Sequence, residues 1–269
     1  MNNSTKTQKI QILNIEFDNH SKHDFLKDLD HGIVFTPNMD HLSILQRDVS
    51  FYHAYQQADF KLCDSKILYF LSKLNLVPKI TEQIAGSDLF PSFCQYHKTN
   101  DRVKIFLLGG RTPSSLNQVI DKYNHYADRE MIVGGYSPPF GFEKDEVICA
   151  RIIEMINNSG ANVLAVGLGA PKQEKWIIKY RHLLHFVDIF FAIGATIDFE
   201  SGEQKRAPKF LTQFGLEWAY RMLNEPKRLA KRYLVDDLPV FYLLFLQKIG
   251  LYQNPWHRKL NGKSEVLSV

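Results

Sequence analysis

The chain of 269 residues is 45% hydrophobic and 23% charged, which excludes collagenous, disordered and disulfide-scaffold classes and suffices for one large core or two small ones. Its formal net charge of +4 is too small, averaged over the chain, to point to nucleic acid as a partner. The charge is unevenly spread: residues 203–269 hold 12 Lys and Arg against 6 Asp and Glu, whereas residues 1–202 carry a net −2. Cys63, Cys94 and Cys149 form no C-x-x-C pair, so neither a disulfide framework nor a zinc site is indicated. The N-terminal stretch lacks an apolar signal core and no run of about 18 apolar residues occurs, which predicts a soluble cytoplasmic protein or one that only touches a membrane.

In chain order, strand-like runs at Ile10–Phe17, Ile33–Thr36 and Phe60–Cys63 are interleaved with helical spacing over Asp40–Gln57, Ser65–Leu76 and Ser87–His97. From Arg102 the alternation is regular. Strands are predicted at Val103–Leu108, Met131–Val133, Asn162–Val166 and Asp188–Ile193, with helices at Pro113–Tyr126, Glu143–Asn158 and Pro171–His182 between them. Such alternation predicts an α/β fold with a parallel sheet covered by helices. After Gly202 only helical spacing is left, at Phe210–Leu223 and at Lys227–Leu251 with an interruption near Pro239. Residues 1–202 therefore read as an α/β body and residues 203–269 as a basic helical appendage.

Each later strand runs into glycine: Gly109-Gly110, Gly134-Gly135, Gly167-Leu168-Gly169 and Gly194. At the carboxyl edge of a parallel sheet, glycine lets backbone N–H groups approach phosphate oxygens, which favours a nucleotide or phosphate ligand; the alternative is that these glycines only permit tight turns. No dinucleotide fingerprint or Walker lysine-serine pair is present. In Gly169–Glu174 (GAPKQE), Pro171 suits a first helical position and places Gln173 beside the crevice, with helix capping by Gln173 and Glu174 as the alternative role. Thr36 and Asn38 follow one strand and Asp64 another. A carboxylate emerging from an apolar strand suits a general base, or equally an N-cap for the helix beginning at Ser65. The one D-x-D match, Asp28-Leu29-Asp30, precedes a strand in a polar, helical stretch, and the ten histidines form no cluster, so no metal site is expected.

Leu238–Leu246 is nine apolar residues, about 14 Å as a helix and under half a bilayer core. It is flanked by Lys227, Arg228, Lys231 and Arg232 on one side and Lys248, Arg258 and Lys259 on the other. An interfacial helix drawn to anionic lipid fits this pattern, as does a helix packed on the body or on a second subunit.

Thr36-Pro-Asn38, Cys63-Asp64, Ala85–Asp88, Leu108–Gly110, Gly167–Glu174, Gly194–Phe199, Lys205–Pro208, Gly215–Arg221 and Glu225–Arg228 together resemble the WecG/TagA/CpsF glycosyltransferases. The resemblance implies a Rossmann-like α/β core of the GT-E type with a membrane-associating helical appendage. It implies transfer of a hexose or N-acetylhexosamine from a UDP-sugar to a polyprenyl-diphosphate-linked sugar, with inversion and with no essential metal or other cofactor. Such an enzyme would act in polysaccharide or teichoic acid assembly on the inner face of the cytoplasmic membrane. Asp64 then corresponds to the catalytic base, with Thr36 and Asn38 beside it. Gly109, Gly110, Gly167, Gly169, Gln173 and Asp198 fall around the donor, and Arg206, Arg221, Arg228, Lys231 and Arg232 around the acceptor diphosphate. One departure stands out: Gln83 occupies a position where the family usually has arginine, so Arg111 or an appendage residue must supply that charge, or the donor differs. Two rivals are a noncatalytic nucleotide- or lipid-binding relative and an epimerase acting on soluble UDP-sugar.

Overall fold

A computed structural model describes residues 8–208, 220, 222 and 235–257. The helix expected over Phe210–Leu223, apart from Tyr220 and Met222, and the start of the one expected from Lys227 lie outside the described residues, as do Arg221, Arg228, Lys231 and Arg232.

The chain opens with a hairpin, β1 (Lys9–Ile12) and β2 (Ile15–Asp18), where a single strand was expected. Leu13 turns the chain at φ +51°, a conformation that an apolar residue does not advertise in sequence. Helix α1 (Lys22–Asp28) leads to β3 (Gly32–Phe35). The helix expected over Asp40–Gln57 is two, α2 (Met39–Arg47) and α3 (Val49–Gln56). Asp48 ends the first and caps the second, its carboxylate accepting the Phe51 N–H at 3.0 Å. Next come β4 (Phe60–Lys61), α4 (Lys66–Lys73) and α5 (Gly86–Tyr96). The regular part then follows: β5 (Ile105–Gly109), α6 (Pro113–Ala127), β6 (Ile132–Tyr136), α7 (Glu146–Ser159), β7 (Val163–Gly167), α8 (Lys172–Tyr180), β8 (Ile189–Ala192) and α9 (Thr196–Glu200). Helix α10 (Leu238–Lys248) completes the described elements.

Strands β3 to β8 form one parallel sheet of six in the order β4-β3-β8-β7-β5-β6, an α/β architecture consistent with a Rossmann-like fold. Period-two alternation sends Ile33, Phe35, Leu108, Leu164, Val166 and Phe190 to one face, under α2, α3, α7 and α8. Val34, Ile105, Leu107, Val163, Ala165 and Phe191 go to the other face, under α1, α5, α6 and α9. From β5 the chain moves outward to β6, whereas from the neighbouring β7 it moves inward to β8. Their connections diverge, and a crevice opens at the carboxyl ends.

The C-terminal apolar segment divides its faces. Val240 and Leu244 of α10, and Trp256 beyond it, are buried in the same core as α2 and the hairpin. Gln247 accepts the Leu13 N–H at 2.9 Å and Trp256 Nε1 donates to the Leu45 carbonyl at 2.8 Å. The expectation of a helix packed on the body is thus met along the inner face, while Leu238, Phe241, Tyr242 and Phe245 are exposed on the outer one. Pro239 lies in the first turn of α10, directly after the bend at Asp237 that separates this helix from the helical turn at Val235 and Asp236, so the interruption expected near Pro239 falls at a helix start, where an N–H lacks an intrahelical partner anyway. Leu244→Ala should cost about 2–5 kcal/mol in urea unfolding, as for other buried leucines. Phe245→Ser should stay within about 0.5 kcal/mol.

Candidate functional site

The carboxyl edge of the sheet opens into a cleft of about 1200 Å³. Its floor depends on how closely three strand ends approach. Gly109 has φ +139°, and a Cβ there would collide with the Gly167 carbonyl. A Cβ on Gly167 would in turn lie 2.9 Å from the carbonyl oxygen of Gly194. These glycines are required by backbone contact, beyond the needs of a tight turn. Gly110, Gly167 and Gly169 line the cleft, whereas Gly109 lies beneath it as part of the packed floor.

The Gln173 side chain ties two of these turns together. Its Oε1 accepts the N–H groups of Gly169 at 3.2 Å and of Gly194 at 3.0 Å, and its Nε2 donates to Glu174 Oε1 at 2.8 Å. The bond to Gly169 closes the turn that leads into α8, two residues before its N-cap, and the bond to Gly194 joins the β7 turn to the β8 turn, so Gln173 braces the cleft floor and does not cap the helix. Pro171 sits one residue earlier than expected, at the N-cap of α8. Glu174 is fully buried and its Oε2 has no hydrogen-bond partner, so desolvation raises its pKa to about 7.

Across the cleft, Thr36 is buried with its hydroxyl against Gly86, where an added Cβ would lie 2.8 Å from Oγ1. Asn38 caps α2, its Oδ1 accepting the His41 N–H at 3.3 Å. The capping alternative for Asp64 is resolved by its neighbour: Ser65 Oγ accepts the Leu68 N–H at 3.1 Å and is the N-cap of α4. Asp64 is half-buried on the cleft wall, held by its own N–H to the Pro37 carbonyl at 3.0 Å.

Asp198 and Arg111 meet at 3.4 Å on the same cleft, and burial raises the pKa of Asp198 against the lowering influence of Arg111. Arg206 also lines the cleft but is engaged as a strut. Its guanidinium donates to Asp88 at 2.7 Å, to the Ser87 carbonyl at 2.6 Å and to Glu200 at 3.1 Å. The structure thus brings Thr36, Asn38, Asp64, Gly110, Gly167, Gly169, Gln173, Asp198 and Arg206 to one cavity. Gln83, where arginine was expected, and Arg111 both line the cleft.

Three helices that open onto the cleft, α5, α8 and α9, have no side-chain cap at their N-termini. The Gly169 carbonyl accepts the first two N–H groups of α8, from Lys172 and Gln173, so what these helix starts share is the positive end of the helix dipole, which favours an anionic ligand. Sequence reading missed His41, whose Nδ1 lies 2.7 Å from the buried Tyr55 hydroxyl, because one histidine on an apolar helix carries no signal. Burial, then the nearby carboxylates of Glu174, Asp64 and Asp40, push the Tyr55 phenol well above its ordinary pKa, so it keeps its proton. Among the described residues no group of three or more His, Cys, Asp or Glu side chains could hold a metal ion, and Asp30 is exposed beside His31. Cys63, Cys94 and Cys149 are buried free thiols.

Because Glu174 has a higher pKa folded than the ordinary 4.5, the folded chain binds the extra proton between those values. Stability should therefore be lost as pH rises from about 4.5 to about 7 and level off above. In Glu174→Gln that slope should disappear, so the variant gains on the wild type in urea midpoint at pH 8 relative to pH 5; parallel pH profiles would remove Glu174 as the source.

A pocket with glycine strand ends, uncapped helix N-termini and a carboxylate on its wall fits a nucleotide-sugar enzyme. Comparison with protein families matches residues 10–254 to the glycosyl transferase WecG/TagA/CpsF family, so on a match spanning nearly the whole described body the chain belongs to that family of glycosyltransferases.

Proposed function

We propose that this glycosyltransferase moves a hexose or N-acetylhexosamine from a UDP-sugar to a polyprenyl-diphosphate-linked sugar in the assembly of an envelope polysaccharide. The observation that carries the reading is the position of Asp64. It stands on the cleft wall while Ser65 takes the capping duty, and it faces a cavity whose opposite side is built from glycine turns and uncapped helix N-termini.

In this reading the acceptor hydroxyl gives its proton to the Asp64 carboxylate, and its oxygen attacks the anomeric carbon from the face opposite the diphosphate. The glycosidic C–O bond breaks and UDP leaves, so the configuration inverts. Charge developing on UDP meets the N-termini of α5 and α8, with Arg111 in place of the family guanidinium that Gln83 replaces. Thr36 and Asn38 hold substrate hydroxyls near Asp64. Gln173 positions the donor walls through Gly169 and Gly194, and Asp198, paired with Arg111 on the cleft, holds that guanidinium toward the donor. The chemistry calls on no metal ion. Arg221, Arg228, Lys231 and Arg232 complete the acceptor site, with Arg206 holding α5 and α9 together beneath it.

The enzyme works as a peripheral protein at the inner face of the cytoplasmic membrane. No helix among the described residues is long and apolar enough to cross a bilayer, and the exposed outer face of α10 supports attachment from one side. The decisive test is UDP release from a panel of UDP-sugars with a synthetic polyprenyl-diphosphate-sugar acceptor, with and without EDTA. One donor should give acceptor-dependent, EDTA-resistant release. Asp64→Asn should cut turnover by about a hundredfold or more while retaining UDP binding. Turnover near wild type in that variant would remove Asp64 from the role, and release without lipid acceptor would favour the soluble epimerase-type reaction.

A further inference from the structure

We propose that α4, a helix of the catalytic body, forms a lipid-docking face jointly with α10, so that the body itself and not only the C-terminal segment rests on an anionic membrane. The inference rests on the transferase reading for its purpose, but its observations are independent of that reading.

The two helices border the same cleft and meet where α10 ends beside the chain just past α4. At one end Lys66 and Ile67 of α4 share the cleft mouth with Leu238 and Phe241 of α10; at the other, Lys248 Nζ donates to the Asn75 carbonyl just past α4 at 2.7 Å. Both turn large apolar side chains outward. Phe70 is 40% exposed and Leu74 68%, with Leu76 just beyond α4 at 47%. On α10, Tyr242 is 63% and Phe245 57% exposed. Leu238, Phe241, Tyr242, Phe245 and Ile249 recur at helical spacing, so this is a continuous stripe on the side opposite the buried Val240 and Leu244. Apolar surface of this extent on a charged protein marks a docking face.

Charge identifies the occupant. Residues 65–81 contain Lys66, Lys73 and Lys79 and no acid, and residues 238–257 contain Lys248 and no acid. Lys66 and Lys73 fold over the Tyr69 ring at 5.4 and 4.7 Å, the posture of a stem lying on apolar surface with its ammonium kept toward water. A lysine rim around an apolar stripe complements an anionic headgroup layer. A second copy would set the same lysines against their own images, which opposes self-association through this face. Ser65, which starts α4, directly follows Asp64, and the cleft mouth is continuous with the stripe. A bilayer under α4 and α10 therefore delivers a lipid-linked acceptor to the candidate base without its chain leaving the surface.

The test is flotation of the full chain with vesicles of phosphatidylcholine alone and of equal parts phosphatidylcholine and phosphatidylglycerol, without donor or acceptor. Wild type should float with the anionic vesicles, and Leu74→Glu and Phe245→Glu should each lower the partition coefficient at least about tenfold. Lys73→Glu, a surface change that leaves the fold untouched, should weaken binding to the anionic vesicles only. Urea midpoints and UDP binding should match wild type. The proposal is overturned if the α4 variants float as wild type while Phe245→Glu does not, or if none of them alters flotation. It is equally overturned if Leu74→Glu instead dissociates a dimer in sedimentation with flotation unchanged. Flotation stands whatever the donor panel shows. Turnover of a short-chain, water-soluble acceptor by wild type and Leu74→Glu alike separates a failure of docking from a failure of the transferase reading.

Discussion

Three backbone segments, the ends of β5, β7 and β8, come together at the floor of the cleft more closely than any side chain would permit. A methyl group at Gly109 would meet the Gly167 carbonyl, and one at Gly167 would meet Gly194. Parallel pairing carries these strands into the same edge in register, Gly109 opposite Gly167, and glycine is what lets the pairing continue into the turns. The Gln173 carboxamide then pins the turns by accepting two of their N–H groups. Glu174 is buried behind it at the cost of desolvation, which its raised pKa records. The first turns of α8 and α9 are aimed into the cavity as a consequence.

The opposite wall obeys a different logic. There helix capping and cleft lining are divided between adjacent residues or combined in one. Ser65 caps α4 and Asp64 stands on the cavity; Asn38 caps α2 through Oδ1 and also lines the cleft. Arg206 shows the reverse assignment. A basic residue in the Lys205–Pro208 segment suggests a phosphate ligand, yet its guanidinium makes three contacts, to Asp88, Ser87 and Glu200, and so locks α5 and α9 into their places around the pocket. Arg111, carried by the β5 turn and paired once, is the guanidinium better disposed toward a ligand.

The C-terminal segment couples the fold to its surroundings. One face of α10 is core, sharing Val240 and Leu244 with the layer beneath the sheet, and the other adds apolar surface to that of α4. The helix is thus fixed in orientation by packing, so its outward stripe sits at the mouth of the cleft. Its nine apolar residues are too short to span a bilayer, and being apolar on both sides they serve a buried contact and an exposed one at once.

The sequence by itself determined the α/β class, the parallel sheet and the edge at which chemistry would gather. Those follow from local periodicity and from glycine at strand ends, which neighbouring residues encode. Most of the residues singled out do meet in one cavity, because strand ends of a parallel sheet have nowhere else to converge. It did not determine that Leu13 turns the hairpin or that Asp48 divides α2 from α3, since each depends on a single backbone choice that packing enforces. Nor could it decide whether Asp64 caps a helix, whether Gln173 binds or braces, or which side of Leu238–Leu246 is buried. The first is a local choice between two adjacent residues, Asp64 and Ser65, settled by which of them accepts the Leu68 N–H; the other two turn on contacts between residues distant in the chain, Gln173 with Gly194 and Gln247 with Leu13, which only the tertiary structure brings within reach.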